Sequence, residues 1–192
     1  ALVRTGLTHL TIVDGDTVQP SNINRQLPAT RATMGMPKVE ALKARLLEIH
    51  PEAKIEARKE MVNGEWLMVN GLEGDDYIID AIDSVNDKTD LIINATRARV
   101  KIFCSMGAAL RFDPTKVTTG ELMDIKGDAL AKAVRARMKK LNVHPYKKVR
   151  CVYSSEQAQR CETRGSLMQV TAVFGLTLAS LVITDITNQA KL

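Results

Sequence analysis

The sequence predicts an α/β fold, with a mainly parallel sheet, flanking helices, a basic stretch and a final apolar helix. Three observations predict it. Short apolar runs end in acidic residues, as in LTHLTIVD (7–14) and DYIID (76–80), which is how parallel strands buried on both faces read. Helical periodicity alternates with those runs, which calls for crossover connections on a sheet. The chain is 45% hydrophobic but only 4% aromatic, so its core must be built from Leu, Ile, Val, Ala and Met. A length of 192 residues fits one domain spanning 1–192.

Taken in order, residues 1–6 (ALVRTG) read as the end of a helix stopped by Gly6. The strand LTHLTIVD follows at once. Nucleotide-binding α/β folds place a Gly-rich loop and a helix before such a strand, so the chain is expected to begin partway through its domain. Residues 38–49 put Val39, Leu42, Leu46 and Ile49 on one helical face, and His50-Pro51 stops that helix. Strands are expected over 53–57, 76–80 and 100–105, and a helix over 87–99. The stretch 113–162 departs from the alternation and reads as a basic insertion on the sheet. The run SLMQVTAVFGLTLASLVITDI (166–186) is long enough to cross a membrane. Its Gln169, Thr171, Thr177, Ser180, Thr184 and Asp185 favour a buried helix and no integral span.

A net charge of +5 and an isoelectric point near 9.2 admit an anionic partner without requiring one. Cys104, Cys151 and Cys161 are far apart and contain no CxxC pair. That spacing argues against structural zinc, and an odd, sparse set argues against a secreted disulfide framework. Reduced thiols fit the cytoplasm, or the mitochondrion if the source is eukaryotic.

The chemistry concentrates at the carboxyl ends of the strands, where open α/β sheets bind ligands. Asp14 and Asp16 follow the first strand. A carboxylate there can accept hydrogen bonds from ribose hydroxyls, and it can equally cap a turn. Asn22 and Arg25 lie three apart, so one helical turn would present them together. Arg offers a planar fork suited to phosphate oxygens. Lys38 opens a helix, where the dipole disfavours a cation, so an anion is expected nearby. Asp80 and Asp83, in IIDAIDS (78–84), stand where carboxylates can hold Mg²⁺. Acids also simply end strands. The DYIID strand is expected beside the strand that leads to Asp14.

DGDTVQPSNINRQ (14–26), GMPKVEALKARLLEIHPEAKI (35–55) and IIDAIDS together resemble the adenylation domain of the ubiquitin-activating superfamily. Bacterial members of that superfamily activate sulfur carriers. The shared pattern is a strand, D-x-D-x-V, N-x-x-R-Q, a G-x-x-K helix and D-x-x-D. The chain matches each part in order, over residues 1 to about 110. The resemblance implies a Rossmann-like fold with ATP and Mg²⁺ as cofactors. It places Asp14 on the ribose and Asn22, Arg25 and Lys38 on the phosphates. Asp16, Gln26 and Asp80 join the ATP contacts, and Asp83 holds Mg²⁺. Arg25, Lys38 and Asp83 become the catalytic groups. The family's GxGGxGS loop has no counterpart here.

SMGAALRFDPTKV (105–117), DALAKAVRARMKKL (128–141) and CVYSSE (151–156) narrow the resemblance to the branch that dehydrates threonylcarbamoyladenosine in tRNA. Tyr153 stands where Phe is usual, and the stretch 154–166 is shorter than expected. The implied reaction is adenylation of the substrate carboxylate, then ring closure by an oxygen of the same side chain. It needs no enzyme thioester, in keeping with three cysteines that lie in no thiol-activating motif. The implied partners are tRNA and a second copy of the chain. Two other readings stay open. The chain could activate the C-terminus of a ubiquitin-like or sulfur-carrier protein, although those relatives often carry CxxC pairs. It could also be a non-catalytic partner subunit, against which the intact Asp14, Arg25, Lys38 and Asp83 argue.

The basic stretch supports tRNA independently. Over 128–141, Leu130, Val134, Met138 and Leu141 share one helical face, and Lys132, Arg135 and Lys139 share another. Arg137 and Lys140 flank them, and Lys147, Lys148 and Arg150 follow. Such a face is often merely solvated; this density of cations points to phosphate contacts.

Overall fold

The computed structural model describes residues 1–159, 162 and 165–190. Cys161 and part of the 154–166 stretch lie outside the described residues. The chain divides into two compact units, Ala1–Val62 and Asn63–Leu192. Among the described residues the strands form a two-stranded and a four-stranded sheet, mainly parallel as expected.

In the first unit, a 3-10 turn over Leu2–Thr5 ends on Gly6, whose φ of 95° is the left-handed cap expected there. Strand β1 (His9–Val13) pairs in parallel with β2 (Lys54–Arg58), and helix α1 (Lys38–Ile49) makes the crossover. The α1 bounds are those expected. Pro51 forces His50 out of helical geometry, to φ −142° and ψ 88°. Val3, Ala53 and Ile55 form one core, packed by Leu10, Ile12, Leu46, Leu47 and Ile49. Val18, Ala29 and Ala41 form another with Met34.

The second unit runs α2 (Gly64–Asn70), β3 (Tyr77–Asp80), α3 (Val85–Arg97), β4 (Lys101–Ser105), β5 (Val117–Glu121), α4 (Ala129–Leu141), β6 (Arg150–Ser154) and α5 (Met168–Gln189). Its sheet has the order β3-β4-β6-β5. The first three strands are parallel and β5 is antiparallel. Strand β3 pairs with β4. The stretch 113–162 is therefore not an insertion on the sheet. It supplies two of the four strands, and β6 lies inside the sheet with Cys151 and Val152 fully buried. The run RCVYS was hard to separate from its basic neighbours. The polar VTTGE of β5 carries little strand signal and sits at the edge, where one-sided burial tolerates it.

Helix α5 has a mean hydropathy of 1.8, and by length and composition could cross a membrane. Val170, Phe174, Leu178 and Val182, spaced four apart, are buried, while Leu176 and Ile186 are exposed. The burial expected for this helix holds for one face only.

A polar clamp ties α5 to the sheet. The Tyr77 hydroxyl donates to Asp185 Oδ2 at 2.7 Å, Lys101 pairs with Oδ1, and Gln189 donates to Oδ2 at 2.8 Å. Lys101, then Tyr77, hold the Asp185 carboxyl below its ordinary value. Burial first, then the Asp185 acceptor, push the Tyr77 phenol up to about 12. The neutral phenol is the form that fits, so its stabilisation is complete below an ordinary tyrosine value near ~10 and is lost as pH rises through about 12. Phenolate absorbance should show a late component that Tyr77→Phe removes. Titration of every tyrosine near ~10 would contradict the clamp.

Candidate functional site

In the first unit the chain leaves β1 through Asp14-Gly15-Asp16. The Asp14 N–H extends the strand ladder to the Arg58 carbonyl at 3.2 Å. The Asp16 N–H then donates to Asp14 Oδ1 at 2.8 Å, closing a tight carboxylate turn. Lys38 is tied to this loop twice. Its N–H donates to the Asp16 carbonyl at 3.0 Å, and its Nζ donates to Asp16 Oδ2 at 2.6 Å, 4.0 Å from Asp14 Oδ2. Two carboxylates of the chain thus stand beside this cation. The Lys38 side chain is 14% exposed, against 41% for Asp14 and 61% for Asp16. The two carboxylates stay open to a ligand while the lysine is held from behind.

Asn22 is partly taken up by the fold. It is 7% exposed, and its Oδ1 accepts the Gln19 N–H at 2.9 Å. That oxygen holds a turn rather than facing a ligand. The same turn presents Arg25 and Gln26, whose N–H groups both donate to the Asn22 carbonyl. Arg25 is half-buried, and its Nη1 donates to the Ser21 carbonyl at 2.7 Å and to Asn24 Oδ1 at 3.0 Å. Gln26 is half-buried beside it.

In the second unit, Asp80 and Asp83 part company. Asp80, at the end of β3, is 1% exposed. Its Oδ2 pairs with Lys88 Nζ at 2.6 Å, and its Oδ1 accepts the Ile82 N–H at 2.9 Å. Both oxygens are engaged, so the expected ATP contact by Asp80 is replaced by an internal ion pair. Lys88, also fully buried, donates a second bond to the Ser105 carbonyl at 3.0 Å, joining the ends of β3 and β4. Asp83, three residues on, is exposed and makes no hydrogen bond or ion pair among the described residues. Ser84 caps α3 behind it by accepting the Asp87 N–H.

Cys104 and Cys151 face each other in the β4–β6 ladder, both fully buried. Burial first, then Cys151 and the Asp80 charge, push the Cys104 thiol well above its ordinary value. A buried, protonated thiol is a poor nucleophile.

The basic helix α4 is capped by Asp128, whose Oδ1 accepts the Ala131 N–H and whose Oδ2 accepts the Gly107 N–H. Ala131, Val134 and Met138 anchor it. Leu141 does not, being 45% exposed. Two expected outward cations turn inward. Arg135 donates to the Leu122 carbonyl at 2.8 Å, and Arg137 pairs with Asp90 at 3.4 Å. Lys132, Lys139, Lys140, Lys147, Lys148 and Arg150 remain exposed.

A sequence model of the ThiF family matches residues 1–192. The chain belongs to the ThiF family. Among its relatives, the tRNA threonylcarbamoyladenosine dehydratase of Bacillus subtilis is 35% identical over 156 residues, covering 81% of this chain and 61% of that one. The Haemophilus influenzae dehydratase is 31% identical over 203 residues, covering 95% and 78%. The crystal structure of E. coli tRNA N6-threonylcarbamoyladenosine dehydratase with AMP is similar over 99% of this chain and 80% of that one. Its TM-score is 0.93 at 31% identity. The chain thus spans less than two thirds of the B. subtilis relative. Within this ThiF-family chain, Lys88 is the site residue that sequence reasoning missed. Its signal was a lysine in the first turns of an otherwise buried helix, eight residues after a strand-ending aspartate.

Proposed function

We propose that this chain is the catalytic part of an ATP-dependent dehydratase that adenylates the carboxylate of threonylcarbamoyladenosine in tRNA and cyclises it. The observation that carries the reading is the likeness to the E. coli enzyme, which runs over 99% of this chain, the basic α4 region included. The open Asp14 carboxylate accepts from the ribose. Arg25 and Lys38 take the phosphates, with Asp16 holding Lys38 in place. Gln26 borders the phosphates.

Mg²⁺ is implied by the chemistry, and Asp83 fits it as an exposed oxygen donor with no competing partner. No group of three or more His, Cys, Asp or Glu could hold a metal among the described residues. Mg²⁺ itself takes one or two protein carboxylates and completes its shell with phosphate and water. When bound it would offset charge on the phosphates.

The substrate carboxylate attacks the α-phosphate of ATP and pyrophosphate leaves. Arg25 and Lys38 stabilise the charge that develops there. An oxygen of the same side chain then attacks the activated carbonyl carbon, AMP leaves, and one proton is lost. The sum is loss of one water. Ring closure is intramolecular, so positioning supplies much of the acceleration. The buried Cys104 and Cys151 have no part in it.

The active assembly is a homodimer in the cytoplasm, with the exposed apolar face of α5 covered in the dimer rather than by lipid. The deciding experiment incubates tRNA with the full-length protein and ATP–Mg²⁺ and weighs the modified nucleoside. Loss of one water is expected. Unchanged nucleoside, with AMP transferred to a ubiquitin-like C-terminus instead, would replace this reading with the carrier-activating one.

Lys132, Lys139 and Lys140 are the α4 cations left to meet tRNA phosphates. Changed together to Ala, they should weaken tRNA binding and flatten its salt dependence by about 0.7 to 0.9 in slope for each phosphate no longer neutralised. Titrations at several salt concentrations measure this. An unaltered slope would make α4 a solvated face.

A further inference from the structure

A charged depression lies at the carboxyl end of α3, apart from every group used above except Lys147. Thr96, Arg97, Arg99, Tyr146 and Lys147 line about 510 Å³, within the ~300–1,000 Å³ of ordinary ligand pockets. Two chain segments far apart in sequence build it. The Tyr146 N–H donates to Thr96 Oγ1 at 3.2 Å, which pins the loop after α4 onto the end of α3. The Arg97 guanidinium then sits 5.7 Å from the Tyr146 ring centroid. Tyr146 as a residue is still 63% exposed and so largely open to solvent.

Arg99 has a φ of 64°, uncommon outside glycine. Bonds from Arg99 N–H to the Thr96 carbonyl and from Val100 N–H to the Ala95 carbonyl hold it there. The partial negative charge at a helix carboxyl end favours a nearby cation. It does not account for three cations around one depression that no carboxylate lines. An anion resolves that repulsion, and a flat partner suits the open ring.

We propose that Arg97, Arg99, Tyr146 and Lys147 form a clasp for one unpaired nucleotide of RNA. The base stacks on Tyr146 and the phosphate meets Arg99 and Lys147, while Arg97 braces the ring. This rests on the tRNA reading above, and adds a recognition element outside the reaction centre. Aromatic rings and cations paired in this way bind single-stranded RNA with little sequence preference.

The test is anisotropy titration of tRNA with the full-length protein and its variants at several salt concentrations, with thermal melts as the folding control. Tyr146→Ala should weaken binding by about five- to a hundredfold, and Tyr146→Phe, which keeps the ring, should bind as the parent does. Arg97→Ala with Arg99→Ala removes the brace of the ring and one phosphate contact, and should weaken binding and lower the salt slope by about 0.7 to 0.9 for that one phosphate. Parental affinity in Tyr146→Ala, or Phe as weak as Ala, overturns the clasp. If Tyr146→Ala melts early, Tyr146→Phe and the arginine pair decide alone. The nucleoside mass assay separates the two ideas. Dehydration by the parent with unaffected binding in the variants sinks the clasp alone. Binding losses without dehydration in the parent sink the reaction and leave the clasp standing.

Discussion

Lys88→Met should destabilise the second unit by about 3 to 5 kcal/mol, the usual cost of removing one partner from a buried ion pair. The Lys88 and Asp80 side chains are both 0% exposed and 2.6 Å apart. Without Lys88, the buried Asp80 charge has no counter-ion among the described residues. The Ser105 carbonyl loses its donor as well. Against a total stability of ~5–15 kcal/mol for a typical domain, such a loss is visible as a large fall in the urea midpoint. A midpoint within experimental error of the parent would show that the pair is not the fastening described.

The companion variant separates fastening from chemistry. Lys88→Met with Asp80→Leu removes both charges, and replacement of a buried pair by apolar groups is often neutral or better. The Ser105 carbonyl loses its lysine donor in both variants; the double variant adds only the Ile82 N–H, left without its carboxylate acceptor, at a cost of about 1 to 3 kcal/mol. The double variant should therefore be more stable than the single one. Asp80 acts by shaping the turn that carries Asp83. Its loss should thus blunt catalysis through loosened geometry, not abolish nucleotide binding.

How far such features can be read in advance depends on whether the signal is local. The bounds of α1 were legible because Lys38, Pro51 and the apolar period between them are short-range. The loop of Asp14, Asp16 and Lys38 was legible in part: a cation against the helix dipole demanded an anion, and Asp16 is that anion. For Lys88 the sequence offers only a lysine eight residues after a strand-ending aspartate; its partner is fixed by α3 folding back on β3, and its second acceptor comes from β4. Asp80 was misread for the same reason, since an acid that ends a strand looks alike whether it faces water or a lysine. On α4 the heptad-like spacing suggested that Arg135 points outward, yet a carbonyl at Leu122 captures it. Strand β6 was hidden because RCVYS is short and both its neighbours in the sheet are remote in sequence. The tRNA reading rests first on motif resemblance, and the density of cations over 128–150 is its physical support.

Arg25→Ala should slow adenylation by about ten- to a thousandfold, as removal of one charged group from a transition state typically does. Arg25 is a cleaner probe than Lys38. Removing Lys38 would leave Asp14 and Asp16 facing each other without their cation, mixing electrostatic disorder with lost chemistry. Among the described residues, the Arg25 guanidinium spends Nη1 alone on the fold, toward Ser21 and Asn24. Its Nε and Nη2 keep donors for two phosphate oxygens. The residue is half-buried, so truncation should shift the melting temperature little. Arg25→Lys keeps the charge and loses the fork, and should fall between the parent and Ala. The measurement is pyrophosphate exchange into ATP in the presence of substrate tRNA. Parental exchange in Arg25→Ala would remove Arg25 from the reacting centre, and Lys as slow as Ala would assign the effect to the fork rather than to the charge.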